Sequence, residues 1–439
     1  MKITFIRLNM FEHISSDAMK PILFGLIYNL TPKNFEIEFL DERVDPLPDS
    51  IDSDIIAFSV ETYTAKRAYL LAKKYKTAKN RIVMGGFHPS VLPDEVIKYA
   101  DTVLIGDAED TWPELLQDCL EGRYKQIYQS KETCKLESSE TDAPIYKHKY
   151  HNIGVYQASR GCKFNCDFCS IKTLYQKVRQ KPVEIVYEEL KNMKEKIFFF
   201  ADDNLFLDEA SAINLFRTIA PLKKKWACQI SMDVAKNDQL LVEMKKAGCF
   251  LVLIGFETLD PKALQTMNKS ANRSMQNYEE VIAKIHKHRM LIYGTFVFGY
   301  DTDTQEVFEK TFDFVVKNKL AVTNFNVLIP MPGTKVYERL DKENRLRYKK
   351  WWLSDQFRYG EPAYTPAQLT PEQLYDGCHT IRTKFYSIPC ILKRLFLNPA
   401  HYSPRNMMIY CLINFVSRKE IQAKRGQLLG GILNESDVD

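Results

Sequence analysis

Short apolar runs alternate with helical patterns along most of this 439-residue chain. Residues 54–60 form a mainly apolar run, which is typical of a strand that is covered on both faces. A strand followed by a helix and another strand favours a parallel sheet, because parallel strands need a long crossover connection. The alternation therefore predicts a parallel, doubly wound α/β architecture.

Residues 1–125 carry five predicted strands and form the first predicted domain, which is doubly wound and Rossmann-like. The strands are expected near 2–8, 35–40, 54–60, 81–84 and 102–105. Helices are expected at 19–30 and 63–77, and after each of the last two strands. Residues 126–150 are polar and are interpreted as a linker.

Residues 151–335 repeat the strand–helix alternation six times and form the second predicted domain. The strands are expected near 153–159, 196–202, 226–232, 250–256, 291–299 and 322–329. Helical patterns lie near 182–195, 208–220, 237–247, 276–289 and 304–318. Six such units predict an open, barrel-like (βα)6 sheet, whose chemistry collects at the carboxyl ends of the strands.

Residues 336–439 are basic and aromatic and form a predicted C-terminal domain, a mainly helical cap that contacts the substrate. Helices are expected near 371–387 and 405–416. The apolar stretches 391–397 and 407–416 fit a membrane surface, a lipid-like substrate or a buried cap over the barrel mouth. Their short length favours the buried cap and leaves peripheral membrane contact open.

Composition excludes several classes of protein. The net charge is only +5, and no basic run is interleaved with aromatic residues, so no nucleic-acid partner is expected. No stretch approaches the roughly 18 apolar residues of a membrane span, and the first residues lack the pattern of a signal peptide. The protein is therefore expected in the cytoplasm, where its ten cysteines would not form disulfides.

Three of the cysteines are clustered after the first strand of the second domain. Cys162, Cys166 and Cys169 have the spacing Cys-x3-Cys-x2-Cys. Three thiolates on one loop can each hold one iron of a cubane cluster, which leaves the fourth iron open to a ligand. A structural zinc site is a second interpretation, but it needs a fourth ligand and none lies at a suitable offset. Three buried, unliganded cysteines are a third.

This loop resembles the cluster-binding motif of radical S-adenosylmethionine (SAM) enzymes, and the six units resemble the partial (βα)6 barrel of that family. The resemblance implies a [4Fe–4S] cluster on Cys162, Cys166 and Cys169, with SAM on the open iron. One electron would then release a 5′-deoxyadenosyl radical that removes a hydrogen atom from the substrate. It also implies an electron donor such as flavodoxin or ferredoxin, and a small-molecule or lipid-like substrate.

The resemblance assigns SAM contacts to residues of the cysteine loop and of the following strand ends. The candidates are Phe168, Asp202, Asp203, Asn204, Ser231, Glu257, Phe298 and Pro330. All except Phe168 have a structural alternative. It is a helix cap for the polar residues at 202–204, an internal salt bridge for the strand ends that carry Ser231 and Glu257, and ordinary strand and turn structure for Phe298 and Pro330.

Gly85 and Gly86 follow the fourth predicted strand of the first domain, and Gly106 follows the fifth. Paired glycines after a strand let a large planar ligand approach the backbone. These turns resemble the cobalamin-binding domain of cobalamin-dependent radical enzymes, and the resemblance implies contacts from Gly85, Gly86, His88, Gly106, Asp107 and Glu109. Each group by itself is an ordinary turn, and His88 could simply face solvent. The loop at 8–14 lacks the Asp-x-His-x-x-Gly motif, so cobalamin would bind without a protein imidazole on cobalt, or has been lost.

The two resemblances together predict a cobalamin-dependent methyltransferase that acts on an unactivated carbon, with methylcobalamin as the methyl donor. The catalytic residues of the transfer itself are not predicted. A radical cyclisation, rearrangement or carbon–carbon coupling, with or without cobalamin, is the second hypothesis. The third hypothesis is a non-catalytic iron–sulfur protein for electron transfer or sensing. Such a protein would not need six convergent strand ends with polar residues.

Overall fold

The computed structural model describes residues 1–11, 13–15, 18–131, 135–137, 146, 150–206, 208–273, 277–397 and 403–430. These residues form two compact units. Among the described residues, unit 1 consists of those within Met1–Val155, Lys350–Tyr359 and Gln427–Gly430. Unit 2 consists of Tyr156–Lys349 and Gly360–Gly426. The division differs from the predicted boundaries, because two segments of the C-terminal region return to unit 1. Most of the predicted linker, including Ser138–Asp142, lies outside the described residues, as does Cys134.

Unit 1 contains a six-stranded sheet. The strands are β1 (Lys2–Arg7), β2 (Glu36–Asp41), β3 (Ile55–Ser59), β4 (Arg81–Gly85), β5 (Thr102–Ile105) and β6 (Ile127–Gln129). Their order is β2-β1-β3-β4-β5-β6, and every neighbouring pair is parallel. The helices are α1 (Ile22–Leu30), α2 (Ala65–Tyr75), α3 (Phe87–Val91), α4 (Pro93–Val96) and α5 (Ala108–Glu121). The prediction of a linker at 126–150 is wrong for Ile127–Gln129, because these residues form β6 and pair with β5.

Aromatic side chains hold the sheet of unit 1 to its helices. The ring of Phe5 on β1 meets Phe24 of α1 edge-on at 5.9 Å and Trp112 of α5 at 5.8 Å. All three side chains are almost completely buried. Contacts of this geometry add to the free energy gained from burying their large apolar surfaces. The predicted doubly wound domain therefore has its core between the sheet and these helices.

The second sheet contains six strands in chain order. The strands of this sheet and of a small ribbon beside it are β7 (Gly154–Tyr156), β8 (Ser159–Arg160), β9 (Arg179–Gln180), β10 (Ile197–Phe200), β11 (Lys225–Ile230), β12 (Cys249–Glu257), β13 (Leu291–Phe298) and β14 (Val322–Val327). The sheet has the order β14-β13-β12-β11-β10-β7, and β10 to β14 pair in parallel. β8 and β9 form an antiparallel ribbon. An open sheet in chain order confirms the predicted barrel-like arrangement.

Helices follow the strands of this sheet. They are α6 (Ile171–Leu174), α7 (Val183–Asn192), α8 (Glu209–Ile219), α9 (Asp238–Ala247), α10 (Pro261–Thr266), α11 (Ser270–Arg273), α12 (Tyr278–Lys287), α13 (Glu306–Lys317), α14 (Lys335–Lys342), α15 (Pro371–Phe385), α16 (Ile388–Leu397) and α17 (Pro404–Lys424). Short 3-10 turns occur at Thr62–Thr64, Ala220–Leu222, Met232–Lys236 and Trp351–Leu353. Across the described part of the chain, no helix combines the length and the hydropathy needed to cross a bilayer.

The C-terminal helices lie at the amino end of β14. The guanidinium of Arg394 on α16 is fully buried and donates to the carbonyls of Leu320 and Ala321, just before β14. The Asn414 amide of α17 donates to the same Ala321 carbonyl at 3.1 Å. The predicted cap over the barrel mouth was therefore wrong for α16 and the first half of α17. A buried guanidinium needs acceptors, and these carbonyls provide them at the opposite edge of the sheet.

Candidate active site

The three clustered cysteines occupy the loop that leaves the carboxyl edge of the second sheet. Gly161 precedes Cys162 with a φ of +96°, and a Cβ at this position would lie 2.8 Å from the carbonyl oxygen of Lys177. Only glycine fits this backbone and this close approach without strain. Cys162, Cys166 and Cys169 are all partly exposed.

The first side of the loop is held by two adjacent aspartates that follow β10. Asp203 accepts a hydrogen bond of 2.8 Å from the backbone of Gly161. Asp202 is buried and accepts from the Ala158 backbone, and from the Ser159 backbone and hydroxyl. Burial raises the pKa of Asp202 to about 7, against the lowering effect of these hydrogen bonds. Both predicted SAM contacts therefore bind loop backbone in this structure.

The opposite side of the loop is held by segments that follow β12, β13 and β14. The Asp167 backbone donates to the Met267 carbonyl at 3.0 Å, and its carboxylate accepts from the Tyr300 hydroxyl at 2.9 Å. The Val336 backbone donates to the Asp167 carbonyl at 3.3 Å. Asn268 donates from its amide to the Asn165 carbonyl at 2.8 Å. The loop is thus positioned by four strand ends that are far apart in sequence.

A chain of polar contacts runs from the first cysteine to the end of β11. The Asn204 amide lies 3.9 Å from the Cys162 sulfur and 3.4 Å from the Ser231 hydroxyl. Ser231 in turn donates to Asp233, and the Asp233 carboxylate pairs with Lys163 at 3.2 Å. The structure therefore brings the predicted residues Asn204 and Ser231 beside the cysteine loop.

Glu257 and Lys269 form a buried ion pair on the other side of the loop. Glu257 ends β12 with a φ of +64°, and its carboxylate lies 2.7 Å from the Lys269 ammonium. Burial lowers the pKa of Lys269, but the charge and the hydrogen bond of Glu257 and the charges of Cys166 and Cys169 together outweigh this effect and raise the pKa. The ammonium also lies 5.8 Å from the centre of the Phe168 ring. Lys269 is a site residue that sequence reasoning missed, since it lies on an irregular segment without a motif.

The thiols fit a cluster that is bound through three separate sulfurs. Burial and, to a smaller extent, the charges of Cys169, Glu257 and Cys162 raise the pKa of Cys166 to about 11, against the lowering effect of Lys269. Within the described residues, no three His, Cys, Asp or Glu side chains are grouped around one point as ligands of a single ion. A cubane places each thiolate on a different iron, and three cysteines on one loop match this requirement. Iron binding would displace the thiol protons.

Two of the predicted SAM contacts belong to the core in this structure. Phe298 is 1% exposed, and its ring packs against Phe308 and Phe325. Pro330 is also buried, in the loop that follows β14. Strand alternation explains the position of Phe298, because its neighbour Val297 takes the opposite, partly exposed face of β13.

Known proteins are similar to this chain in sequence and in fold. The radical SAM superfamily model matches residues 156–315. Bacteriochlorophyllide d C-12(1)-methyltransferase of Chlorobaculum tepidum is 31% identical over 404 residues, which cover 88% of this chain and 87% of that protein. Bacteriochlorophyllide d C-8(2)-methyltransferase of the same organism is 28% identical over 350 residues, covering 74% and 77%.

The chain belongs to the radical SAM superfamily. The family prediction from the cysteine loop is confirmed, and with it the prediction of an enzyme that uses a [4Fe–4S] cluster and SAM. The alternatives of a zinc site and of a non-catalytic iron–sulfur protein are set aside, because the matched region is the catalytic domain of this superfamily.

A solved structure shows the same fold for this radical SAM protein over nearly its whole length. It is that of the radical SAM methyltransferase TsrM from Kitasatospora setae, with cobalamin and a [4Fe–4S] cluster bound. The TM-score is 0.67 at 14% identity, and the match covers 96% of this chain and 98% of that chain. The predicted fold class, a Rossmann-like domain followed by a radical SAM barrel, is confirmed.

The inner face of the radical SAM sheet carries polar residues that sequence reasoning missed. Strand register places Gln229 beside Leu253, Thr295 beside Asn324, and Val297 beside Asn326. Directly paired residues of parallel strands share a face. These side chains are exposed or partly exposed, whereas their chain neighbours are mostly buried. Only the register of the sheet reveals this row, since single polar residues within apolar strands have no distinctive spacing.

The carboxyl edge of unit 1 carries small, partly exposed residues. Ser59 on β3 pairs with Gly85 on β4, and Gly86 and Gly106 follow β4 and β5. A Cβ at Gly86 would lie 2.9 Å from the Val60 carbonyl oxygen, and one at Gly106 would overlap with Ser130. Both glycines are therefore needed by the fold itself. An edge without bulky side chains also fits a large planar ligand such as cobalamin.

The other three predicted cobalamin contacts are buried in unit 1. His88 is completely enclosed, and its Nε2 atom lies 3.0 Å from the Tyr69 hydroxyl and 3.2 Å from Glu95. Its Nδ1 atom lies 3.4 Å from the Thr62 hydroxyl. Both ring nitrogens therefore have protein partners. Asp107 and Glu109, at the start of α5, are also buried.

Glu95 joins this network to the segment that returns from the C-terminal region. Its carboxylate accepts from the Trp352 indole at 2.9 Å and pairs with the Lys350 ammonium at 2.8 Å. Burial opposes ionisation, but hydrogen bonds from His88, Lys350, Trp352 and Tyr69 lower the pKa of Glu95 to about 2. In this structure His88 and Glu95 therefore fix Lys350–Tyr359 within unit 1.

Proposed function

We propose that this radical SAM enzyme methylates an unactivated carbon of a small organic molecule and binds cobalamin at the carboxyl edge of unit 1. The observation that carries the proposal is that one chain contains both six-stranded sheets. A cobalamin-containing methyltransferase has the same fold over nearly its whole length. The relatives named bacteriochlorophyllide methyltransferases give independent support.

Each cofactor has a defined part in the proposal. The cluster, when bound, supplies the electron that cleaves SAM, and cobalamin, when bound, carries the methyl group. Cys162, Cys166 and Cys169 would hold the cluster. Asn204 and Ser231 remain proposed SAM contacts, since their polar atoms lie at the cysteine loop.

The remaining predicted SAM residues are proposed to act indirectly. Asp202 and Asp203 position the loop through its backbone, and Glu257 positions Lys269 beside the sulfurs. Phe168 would cover the cluster from the side of Lys269. Phe298 and Pro330 would support the sheet from its buried face.

The substrate is proposed to lie against the inner face of the second sheet. Gln229, Thr295, Asn324 and Asn326 offer amide and hydroxyl groups there, and the residues paired with Gln229 and Asn326, Leu253 and Val297, are also uncharged. Neutral polar groups of this kind orient a substrate through hydrogen bonds while the surrounding apolar side chains keep water out. This composition favours a neutral organic substrate over a highly charged one.

The test uses the full chain, purified without oxygen and reconstituted with iron, sulfide and hydroxocobalamin. Titanium citrate serves as reductant and SAM as the only added substrate. We expect both 5′-deoxyadenosine and S-adenosylhomocysteine, the second being the product that SAM leaves after losing its methyl group. Formation of 5′-deoxyadenosine without S-adenosylhomocysteine would reject methyl transfer and favour a radical cyclisation, rearrangement or coupling.

Two controls make this result specific. Cys169→Ala removes one cluster ligand and should abolish 5′-deoxyadenosine, whereas Cys390→Ala removes a cysteine of α16 and should leave both products unchanged. Omission of hydroxocobalamin should remove S-adenosylhomocysteine alone. If S-adenosylhomocysteine persists at full yield without any corrinoid, the cobalamin part of the proposal is wrong.

A further inference from the structure

Helix α16 carries an exposed apolar row on one face. Ile388, Leu392 and Phe396 follow one another at four-residue spacing, and their exposed fractions are 50%, 46% and 68%. Residues four apart lie above one another on a helix, so these side chains share a face. The buried residues Ile391 and Leu395 flank this row, and the buried Arg394 lies on the opposite face.

Helix α17 carries a similar row. Met408, Leu412 and Phe415 are 62%, 58% and 52% exposed, at spacings of four and three residues. Ile409 and Tyr410 face inward. Exposed large apolar side chains that occur singly need no explanation, whereas two rows on neighbouring helices mark an interaction surface.

The two rows point away from the barrel because both helices are anchored through their inner faces. Arg394 of α16 and Asn414 of α17 bind the same Ala321 carbonyl and bond to each other at 3.0 Å. The Tyr410 hydroxyl donates to the Ile391 carbonyl at 2.8 Å. The outward faces of α16 and α17 therefore form one surface, called here the α16–α17 surface. It lies at the amino ends of the strands, opposite the cysteine loop.

The exposed charges of α16 and α17 have one sign. Residues 388–419 contain five Lys or Arg and no Asp or Glu, and the one acidic residue of the two helices, Glu420, is buried and pairs with Lys424 at 2.9 Å. Arg394 is buried, whereas Lys393, Arg405 and Lys419 are exposed on the same two helices as the apolar rows. An apolar face bordered by cations is the pattern of helices that lie in a membrane interface.

We propose that the α16–α17 surface binds the head groups and outer acyl region of an anionic phospholipid bilayer, with both helices parallel to the membrane plane. Anionic lipids complement the cationic border, and the acyl region accepts the apolar rows. A second copy of this chain would instead bring two cationic borders together. The α17 helix is too polar to span the bilayer, which is consistent with surface attachment.

The test is flotation of the intact chain with two kinds of vesicle. One is phosphatidylcholine alone, and the other contains equal amounts of phosphatidylcholine and phosphatidylglycerol. We expect binding to the vesicles that contain phosphatidylglycerol and much weaker binding to the others. Raising the salt concentration should weaken the binding, because the cationic contribution is screened.

Two double variants locate the binding surface. Leu392→Ser with Leu412→Ser should lower the partition coefficient at least about tenfold, since two apolar side chains no longer enter the interface. Lys393→Gln with Lys419→Gln should lower it about twenty-five-fold, because each cation near an anionic surface contributes about fivefold. Leu120→Ser with Ile185→Ser, at exposed positions on α5 and α7, is the matched control and should bind like the native chain.

Several results would overturn the proposal. One is failure of the native chain to float with vesicles that contain phosphatidylglycerol. Another is equal loss of binding in the control variant, which would place the effect outside α16 and α17. A third is a concentration-dependent dimer, seen by sedimentation, that the Leu392→Ser, Leu412→Ser variant loses while no vesicle binding is detected. That result would assign the surface to a second copy of the chain.

Discussion

The Asp203 carboxylate accepts a hydrogen bond of 2.8 Å from the backbone of Gly161, the residue before the first cluster cysteine. Asp203 follows β10, whereas Gly161 follows β8, so the contact joins two strand ends that are more than forty residues apart. Burial raises the pKa of Asp203, and the Gly161 N–H and the charge of Arg160 oppose this rise. The cysteine loop therefore depends on a carboxylate that touches none of its sulfurs.

Removing this acceptor should weaken cluster assembly. Asp203→Ala leaves the Gly161 N–H without its partner, at a cost of about 1–3 kcal/mol. We expect lower iron and sulfide content after reconstitution than in the native chain, with the three cysteines unchanged. Asp203→Asn keeps an acceptor oxygen and should retain most of the iron. Native iron content in the alanine variant would show that the loop holds its shape without this contact.

Substitutions of Glu257 and Lys269 should have coupled effects on the free energy of unfolding. Lys269→Met leaves a buried carboxylate without its partner, which costs about 3–5 kcal/mol. Glu257→Gln combined with Lys269→Met removes both charges and should recover a large part of that loss. The midpoint of thermal unfolding of the apoprotein is the measurement. If the double variant is less stable than Lys269→Met, the pair is not the source of the coupling.

Glu95 should stabilise unit 1 in a pH-dependent way. Its pKa is lowered from 4.5 to about 2, so its stabilising contribution is present above pH 4.5 and is lost as the pH falls towards 2. Glu95→Gln should therefore cost about 2 kcal/mol at neutral pH, through weaker bonds to its partners. The difference from the native chain should shrink between pH 4.5 and 2. A constant difference across this range, in denaturant titrations, would contradict the role of the charge.

Gly299 should tolerate alanine much less well than Gly122. Both have positive φ, +108° and +69°, but a Cβ at Gly299 would overlap with the Tyr364 hydroxyl, whereas one at Gly122 meets nothing within 4 Å. Gly122→Ala should cost about 1–2 kcal/mol from the backbone alone. Gly299→Ala should cost about 2–5 kcal/mol, since overpacking adds to the same strain. Equal losses in thermal unfolding would show that Tyr364 moves aside without cost.

Local sequence was sufficient to predict most of the strands and helices and the three cysteines that bind the cluster. Residues 291–299 were expected to form a strand, and Leu291–Phe298 do so as β13, in which buried and partly exposed side chains alternate from Ile292 onward. The three cysteines lie within eight residues, so their common chemistry is visible without any folding. The family followed from the same short segment.

Tertiary structure decided which side chains face the site and which support it. Lys269 reaches the cysteine loop only through the path of the chain after β12, and Phe298 turns into the core because the sheet fixes the face of every second residue. His88 appeared available in sequence, but α2 and α4 enclose it.

The position of the C-terminal helices also required the folded chain. The sequence shows the apolar and basic residues of these helices, but it does not show which carbonyl groups accept the hydrogen bonds of Arg394. A pattern of a few residues is set by local geometry, whereas partners far apart in sequence meet only when the sheet brings their strand ends together. For that reason the sequence by itself determined the chemistry of the cluster, and the tertiary structure decided the surroundings in which that chemistry takes place.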